Sequence, residues 1–198
     1  MLRFLCPMKT IPLPNFVEFL CSQRPSDFRG DKVDTYLSQF RIEEDSVLPF
    51  VYFREETYGR NLIFKNEHFE LLTLTWLPNQ RTPIHDHAEQ RCWMLVQTGV
   101  LTFRNYEPIR KESDALTPCG NCETLAAGDA VYIDDGIAIH SISNASKRPA
   151  VSLHLYAGPI PKCRIYDEGL KKFIWKELQY FTNPDFLATK GCSPRATP

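Results

Sequence analysis

The chain has 198 residues, with 23 basic against 24 acidic side chains for a net charge of -1, and is 43% hydrophobic and 12% aromatic. That is enough apolar material for one domain with a substantial core, and it excludes a disordered chain. The balanced charge leaves no electrostatic case for nucleic acid or an anionic membrane surface, and no apolar run is long enough to span a bilayer, so a small molecule is the expected partner.

The opening Met1-Leu2-Arg3-Phe4-Leu5-Cys6-Pro7 is too quickly broken for a signal peptide, and a cytoplasmic monomer is expected. Seven scattered cysteines, an odd number, predict reduced thiols rather than a disulfide framework. Phe16, Phe19 and Leu20, then Val33, Tyr36, Leu37 and Phe40, recur at helical spacing and predict two short helices in a segment of about 12–42, with Asp31 a candidate cap for the second. From about Tyr58 the texture changes to short β-prone runs separated by turn residues. Strands are expected near 60–65, 69–76, 83–88, 91–98, 100–105, 123–126, 130–133, 137–143, 150–156, 162–166 and 173–178. Such a series predicts a mainly β jelly-roll sandwich or barrel over about 58–180, in a single domain, and a loose tail over about 183–198.

Five histidines occur, and Ile84-His85-Asp86-His87 places two of them one residue apart. On a strand rising about 3.3 Å per residue, His85 and His87 point the same way, roughly 6 to 7 Å apart, and can converge on one ion while Asp86 faces away. Two ordinary sheet histidines would show the same spacing. A third, His140, follows in Gly136-Ile137-Ala138-Ile139-His140, and neutral imidazoles suit zinc, copper, nickel or iron. Ser152, His154 and Tyr156 alternate on one expected strand and share a face, as polar barrel filling or as a hydrogen-bonded relay. Cys119-Gly120-Asn121-Cys122 stands in a turn with no second pair and no βαβ unit, which predicts a plain loop rather than a redox or zinc motif. His68, among Glu67, Phe69 and Glu70, reads as a surface residue.

The histidine pair, the later histidine and the jelly-roll pattern together resemble a cupin. The glutamate ligand usual in the first cupin motif is missing, since Arg91 and Cys92 occupy its place. Cysteine there is similar to the cysteine dioxygenase family, and the resemblance extends over roughly Thr57 to Tyr166. Tyr58-Gly59-Arg60-Asn61-Leu62 is similar to the family's Tyr-x-Arg-Asn-Leu. Trp76, Ile84-His85-Asp86-His87 and Ala150-Val151-Ser152-Leu153-His154-Leu155-Tyr156 fall on further family motifs in the same order. Ala157-Gly158-Pro159 departs from the family's Ser-Pro-Pro.

The resemblance implies Fe(2+) held by His85, His87 and His140, and conversion of L-cysteine and O2 to cysteine sulfinic acid. It implies that Arg60 holds the substrate carboxylate through paired hydrogen bonds, with Tyr58 adding a hydroxyl. Ser152 and His154 would orient Tyr156, and Cys92 could form a thioether with Tyr156. Glutamine replaces the arginine in relatives that oxidise 3-mercaptopropionate, so Arg60 favours cysteine over that thiol. Cysteamine has no carboxylate to hold. A metal-binding cupin without oxygenase activity is the alternative from another class, and it would have no use for Arg60 beside Ser152, His154 and Tyr156.

Overall fold

The structure, a computed structural model, describes residues 2–4, 9–107 and 116–184. After two short strands, β1 (Leu2–Phe4) and β2 (Lys9–Ile11), the chain is helical: α1 (Leu13–Cys21) buries Phe16 and Leu20, and α2 (Lys32–Gln39) buries Val33 and Leu37. Tyr36 stacks on Phe16 and Phe19 and ties the two helices together. Asp31 stands at the N-cap of α2, but its side chain makes no capping hydrogen bond. Phe40 is not helical. Residues Phe40–Ile42 (β3) pair in parallel with β2, so the apolar spacing runs on after the backbone has turned extended. One further helical turn, α3 (Glu44–Val47), leads towards the barrel.

The barrel strands are β4 (Gly59–Lys65), β5 (Glu70–Trp76), β6 (Cys92–Thr98), β7 (Val100–Tyr106), β8 (Glu123–Ala126), β9 (Ala130–Ile133), β10 (Ile139–Ser143), β11 (Ala150–Tyr156), β12 (Lys162–Asp167) and β13 (Lys172–Glu177). They form a six-stranded sheet in the order β1-β9-β6-β11-β5-β4, a three-stranded sheet β10-β7-β8, and a β12-β13 hairpin. The architecture is the mainly β, cupin-type jelly roll that the sequence predicts, with short helices before it.

Strand parity splits the large sheet's side chains between two cores. Trp93, Leu95, Leu153 and Leu155 face the helices and meet Phe16, Phe28 and Leu37. Their neighbours Met94, Val96, Leu72, Leu74 and Tyr156 face the barrel interior and meet Leu101, Phe103 and Ile142 of the smaller sheet. Both faces are covered, so β5 and β11 are buried at every position, whereas β7, with one face in water, alternates. Gly99 turns β6 into β7 at φ 79°, where an added Cβ would lie 2.7 Å from that of Ala150.

The strand expected over 83–88 is the one that does not form. This segment lies between β10 and β12 and bonds to both: His85 N–H donates to His140 O at 3.0 Å, and Asp86 N–H donates to Arg164 O at 3.1 Å. Pro83 has no N–H to give, and Ala88 and Glu89 adopt φ of 50° and 65°, so no regular ladder can run through it. Beyond β13 the chain returns along β4, where Leu62 N–H donates to Thr182 O at 2.9 Å. The tail expected to be loose lies outside the described residues beyond Pro184. Among the described residues no helix is long and apolar enough to cross a membrane.

Candidate metal centre and substrate cavity

The irregular segment delivers His85 and His87 to the inner end of β10, which carries His140. The three rings lie 4.8 to 5.5 Å apart between centroids, and one nitrogen from each falls within 4.8 Å of the others. His85 Nδ1 is 3.0 Å from Pro83 O and His87 Nδ1 is 3.1 Å from a carboxylate oxygen of Asp135. Neither oxygen can donate, so each Nδ1 carries the proton and Nε2 keeps its lone pair for a ligand. Burial, helped by the neighbouring imidazoles, pulls His85 down to about 3 and His140 well below its ordinary value. Neutral rings with free nitrogens are what a divalent transition metal needs. His140 Nδ1 is buried without a hydrogen-bond partner among the described residues. The donor set therefore fits a metal ion, and with three protein nitrogens it leaves coordination positions open.

Asp135, which the sequence did not mark for the site, organises this end of it. One of its oxygens accepts the backbone N–H of His87 at 2.7 Å as well as the ring N–H, and the other accepts the Glu89 N–H at 2.7 Å. Burial alone would raise the Asp135 carboxyl. The hydrogen bonds from the His87 ring and from the two backbone amides outweigh burial and hold it below its ordinary value. The same bonds pin Ala88 and Glu89 in the left-handed region. Asp86 does face away from the ring cluster. It is buried and accepts from Arg164 Nε at 2.6 Å and from Arg164 N at 2.8 Å, which fastens β12 across the mouth.

A narrow cavity opens beside the histidines, lined among others by Tyr58, Arg60, His85, His87, His154 and Tyr156. Arg60 is buried at 8% exposure, so it is not a surface strand arginine. Its Nη2 donates to Glu70 Oε1 at 3.2 Å, its side chain reaches the Tyr156 hydroxyl, and its Nε is buried without a partner among the described residues. Tyr58 stacks on Trp76 at 5.1 Å. Trp76 Nε1 donates to Ser152 Oγ at 3.0 Å, and Ser152 Oγ lies 2.9 Å from His154 Nε2. The His154 and Tyr156 rings follow at 6.2 Å, close to parallel. Tyr156 sits opposite Cys92 in the β11–β6 register, with its side chain beside the Cys92 thiol. Burial, the largest cause in each case, holds the Tyr156 hydroxyl and the Cys92 thiol far above their ordinary values, so both keep their protons at neutral pH.

The structure thus brings together every residue that the sequence singled out for the site. Glu70 and Asp135 were missed. Glu70 shares strand parity with Leu72, Leu74 and Trp76, and a carboxylate on that inward face was the available signal. His68 is half-exposed and contacts Glu67. The five described cysteines, including Cys119 and Cys122, are free thiols, and Cys122 accepts a hydrogen bond from Arg104.

A family model described as "Cysteine dioxygenase type I" matches residues 23–169. The chain belongs to this family. It is 30% identical over 165 residues to "Cysteine dioxygenase type 1" of Danio rerio, spanning 81% of this chain and 82% of that one. The protein of the same description from Rattus norvegicus is 31% identical over 148 residues, 71% of this chain and 74% of the relative. Among solved structures, an uncharacterized Klebsiella pneumoniae protein with a double-stranded beta-helix domain matches with a TM-score of 0.48 at 17% identity, over 67% of this chain and 96% of that one. In this member of the cysteine dioxygenase family the turn after Tyr156 has its own construction. Gly158 adopts φ 114°, where an added Cβ would lie 2.7 Å from Gln90 Oε1, and its N–H donates to Tyr156 O at 3.0 Å.

Proposed function

We propose that the protein is an iron(II)-dependent dioxygenase that converts L-cysteine and O2 to cysteine sulfinic acid. The observation that carries the proposal is the shared cavity: an unpartnered arginine donor and a protonated tyrosine stand beside the three-histidine cluster. Iron(II) at that cluster would lower the substrate thiol pKa and mediate addition of both oxygen atoms of O2 to sulfur.

The chain's own groups do the rest. Arg60 receives the substrate carboxylate where its side chain lines the cavity, and Tyr58 closes the same side. Tyr156 keeps its proton and offers it as a hydrogen bond to the reacting sulfur. The Trp76 to Ser152 to His154 chain fixes the neutral His154 ring against Tyr156, so that the hydroxyl is held in one orientation. Apolar neighbours Ile142, Ile160 and Ile165 limit the water that can reach the site.

The register pairing that sets Cys92 beside Tyr156 supports a thioether between them, formed with loss of two hydrogens to O2. The odd number of scattered cysteines supports a reducing, cytoplasmic setting, in which we take the protein to act as a monomer.

Oxygen uptake by iron(II)-loaded protein, read in parallel with L-cysteine and 3-mercaptopropionate, tests the assignment. Uptake with cysteine and a product two oxygens heavier is the expected result. Preference for 3-mercaptopropionate would keep the chemistry and remove the Arg60 argument. No uptake with either thiol would leave a metal-binding cupin of another kind.

A further inference from the structure

Glu70 is fully buried at the start of β5, opposite Tyr156 in the β11–β5 register and on the cavity side of the sheet. Its two oxygens are both engaged: Oε1 accepts from Arg60 Nη2 and Oε2 from the backbone N–H of Ile160, each at 3.2 Å. The Tyr180 side chain lies close to the same carboxylate. A carboxylate so held cannot swing away when a substrate arrives.

This alters what Arg60 offers. The guanidinium reaches the cavity with part of its charge already answered and with Nη2 committed, so the end-on fork that binds a carboxylate through both terminal nitrogens is half occupied. A substrate carboxylate that docks on the part of the guanidinium lining the cavity gains attraction to Arg60 and, a little farther off, repulsion from Glu70. Little water is present to screen either one.

We infer that Glu70 is a specificity-determining residue: it offsets the charge of Arg60, so that the site selects a small aminothiol by its sulfur and amine more than by its carboxylate. The substrate class accordingly extends to aminothiols that have no carboxylate. The inference rests on the reading of Arg60 as the carboxylate-binding residue. Glu70 acts on the substrate through the field it sets at Arg60 and through the position in which it holds the guanidinium.

The test compares L-cysteine with cysteamine, which is the same molecule without the carboxylate. Binding of each to iron(II)-loaded protein is measured by calorimetry under nitrogen, so that no turnover is needed. Glu70→Gln keeps the side-chain shape and removes the charge. It is expected to tighten cysteine about tenfold while changing cysteamine less than about twofold, and Glu70→Asp, which keeps the charge, is expected to hold the wild-type preference. Cysteine binding that is unchanged or weakened by Glu70→Gln, or an equal change for both thiols, overturns the inference. So does Arg60→Gln if it leaves cysteine binding intact. Should Glu70→Gln fail to fold, the wild-type ratio decides: affinities within about tenfold support the inference, and a preference for cysteine beyond about a hundredfold contradicts it. Oxygen uptake, measured separately, tests the dioxygenase reading, which can fail while the binding preference stands.

Discussion

Asp135 shows how one side chain can set a metal site without touching the metal. Its carboxylate holds the proton on His87 Nδ1 and, through the Glu89 amide, the strained backbone that follows. Replacing it with asparagine removes the charge and one of the two equivalent acceptors. Metal affinity should fall about 10- to 100-fold, read by competition with a chromophoric chelator, and an unchanged affinity would remove Asp135 from the account. Cys92 offers a second residue-level test. Intact mass of wild-type protein after turnover should show a species about 2 Da lighter, from loss of two hydrogens, that Cys92→Ser does not form. Absence of that species from both proteins would contradict the crosslink. The residues legible in the sequence were those with a distinctive type at a distinctive spacing, such as His85, His87 and Tyr156. Asp135 and Glu70 were hidden because an aspartate before Gly136 reads as a turn former, and a glutamate at a strand edge reads as solvated. Their roles come from what the fold sets beside them.

At the scale of elements, the β12-β13 hairpin and the segment 82–89 act as one unit. Thr82 N–H donates to Ile142 O, Tyr166 N–H to Ile84 O, and the Asp86–Arg164 ion pair joins the segment to the hairpin. Arg164→Ala would strip a buried carboxylate of its charged partner while leaving its two backbone donors. A loss of about 1 to 3 kcal/mol is expected, measured by urea denaturation of the metal-free protein. A loss below about 0.3 kcal/mol would show that the backbone amides suffice. The regular strands were readable because their alternation and turn signals agree, and their bounds fall within two residues of the expected ones. Segment 83–88 carries the same apolar and polar texture. It fails as a strand because Pro83 and the positive φ of Ala88 and Glu89 break the hydrogen-bond repeat. The second of these features depends on Asp135, 46 residues after Glu89, and no local pattern announces it.

The whole molecule combines an apolar double core with a polar site sunk into one of its layers, and that arrangement has a consequence for stability. Burial holds His85, His140 and His154 neutral in the folded protein, well below the 6.5 at which they protonate when exposed. As pH falls through 6.5, the unfolded chain gains protons that the folded one refuses, so stability is full above that point and drains away towards about 3 for His85. The loss can reach about 1.4 kcal/mol per pH unit for each such histidine. The Tm of the metal-free protein should be level above about pH 7 and fall steadily below it. A level Tm between pH 7 and 5 would contradict the buried, neutral state. Bound metal should raise Tm at neutral pH by mass action and lose that effect as the ligands protonate.

The central claim is that both atoms of one O2 molecule reach the sulfur of cysteine in this cavity. Turnover of L-cysteine by iron(II)-loaded protein under 18O2, with the product weighed, tests it directly. The account predicts cysteine sulfinic acid carrying two heavy oxygens and one O2 consumed per product. Cystine with hydrogen peroxide, or a sulfinate with oxygen drawn from water, would contradict it.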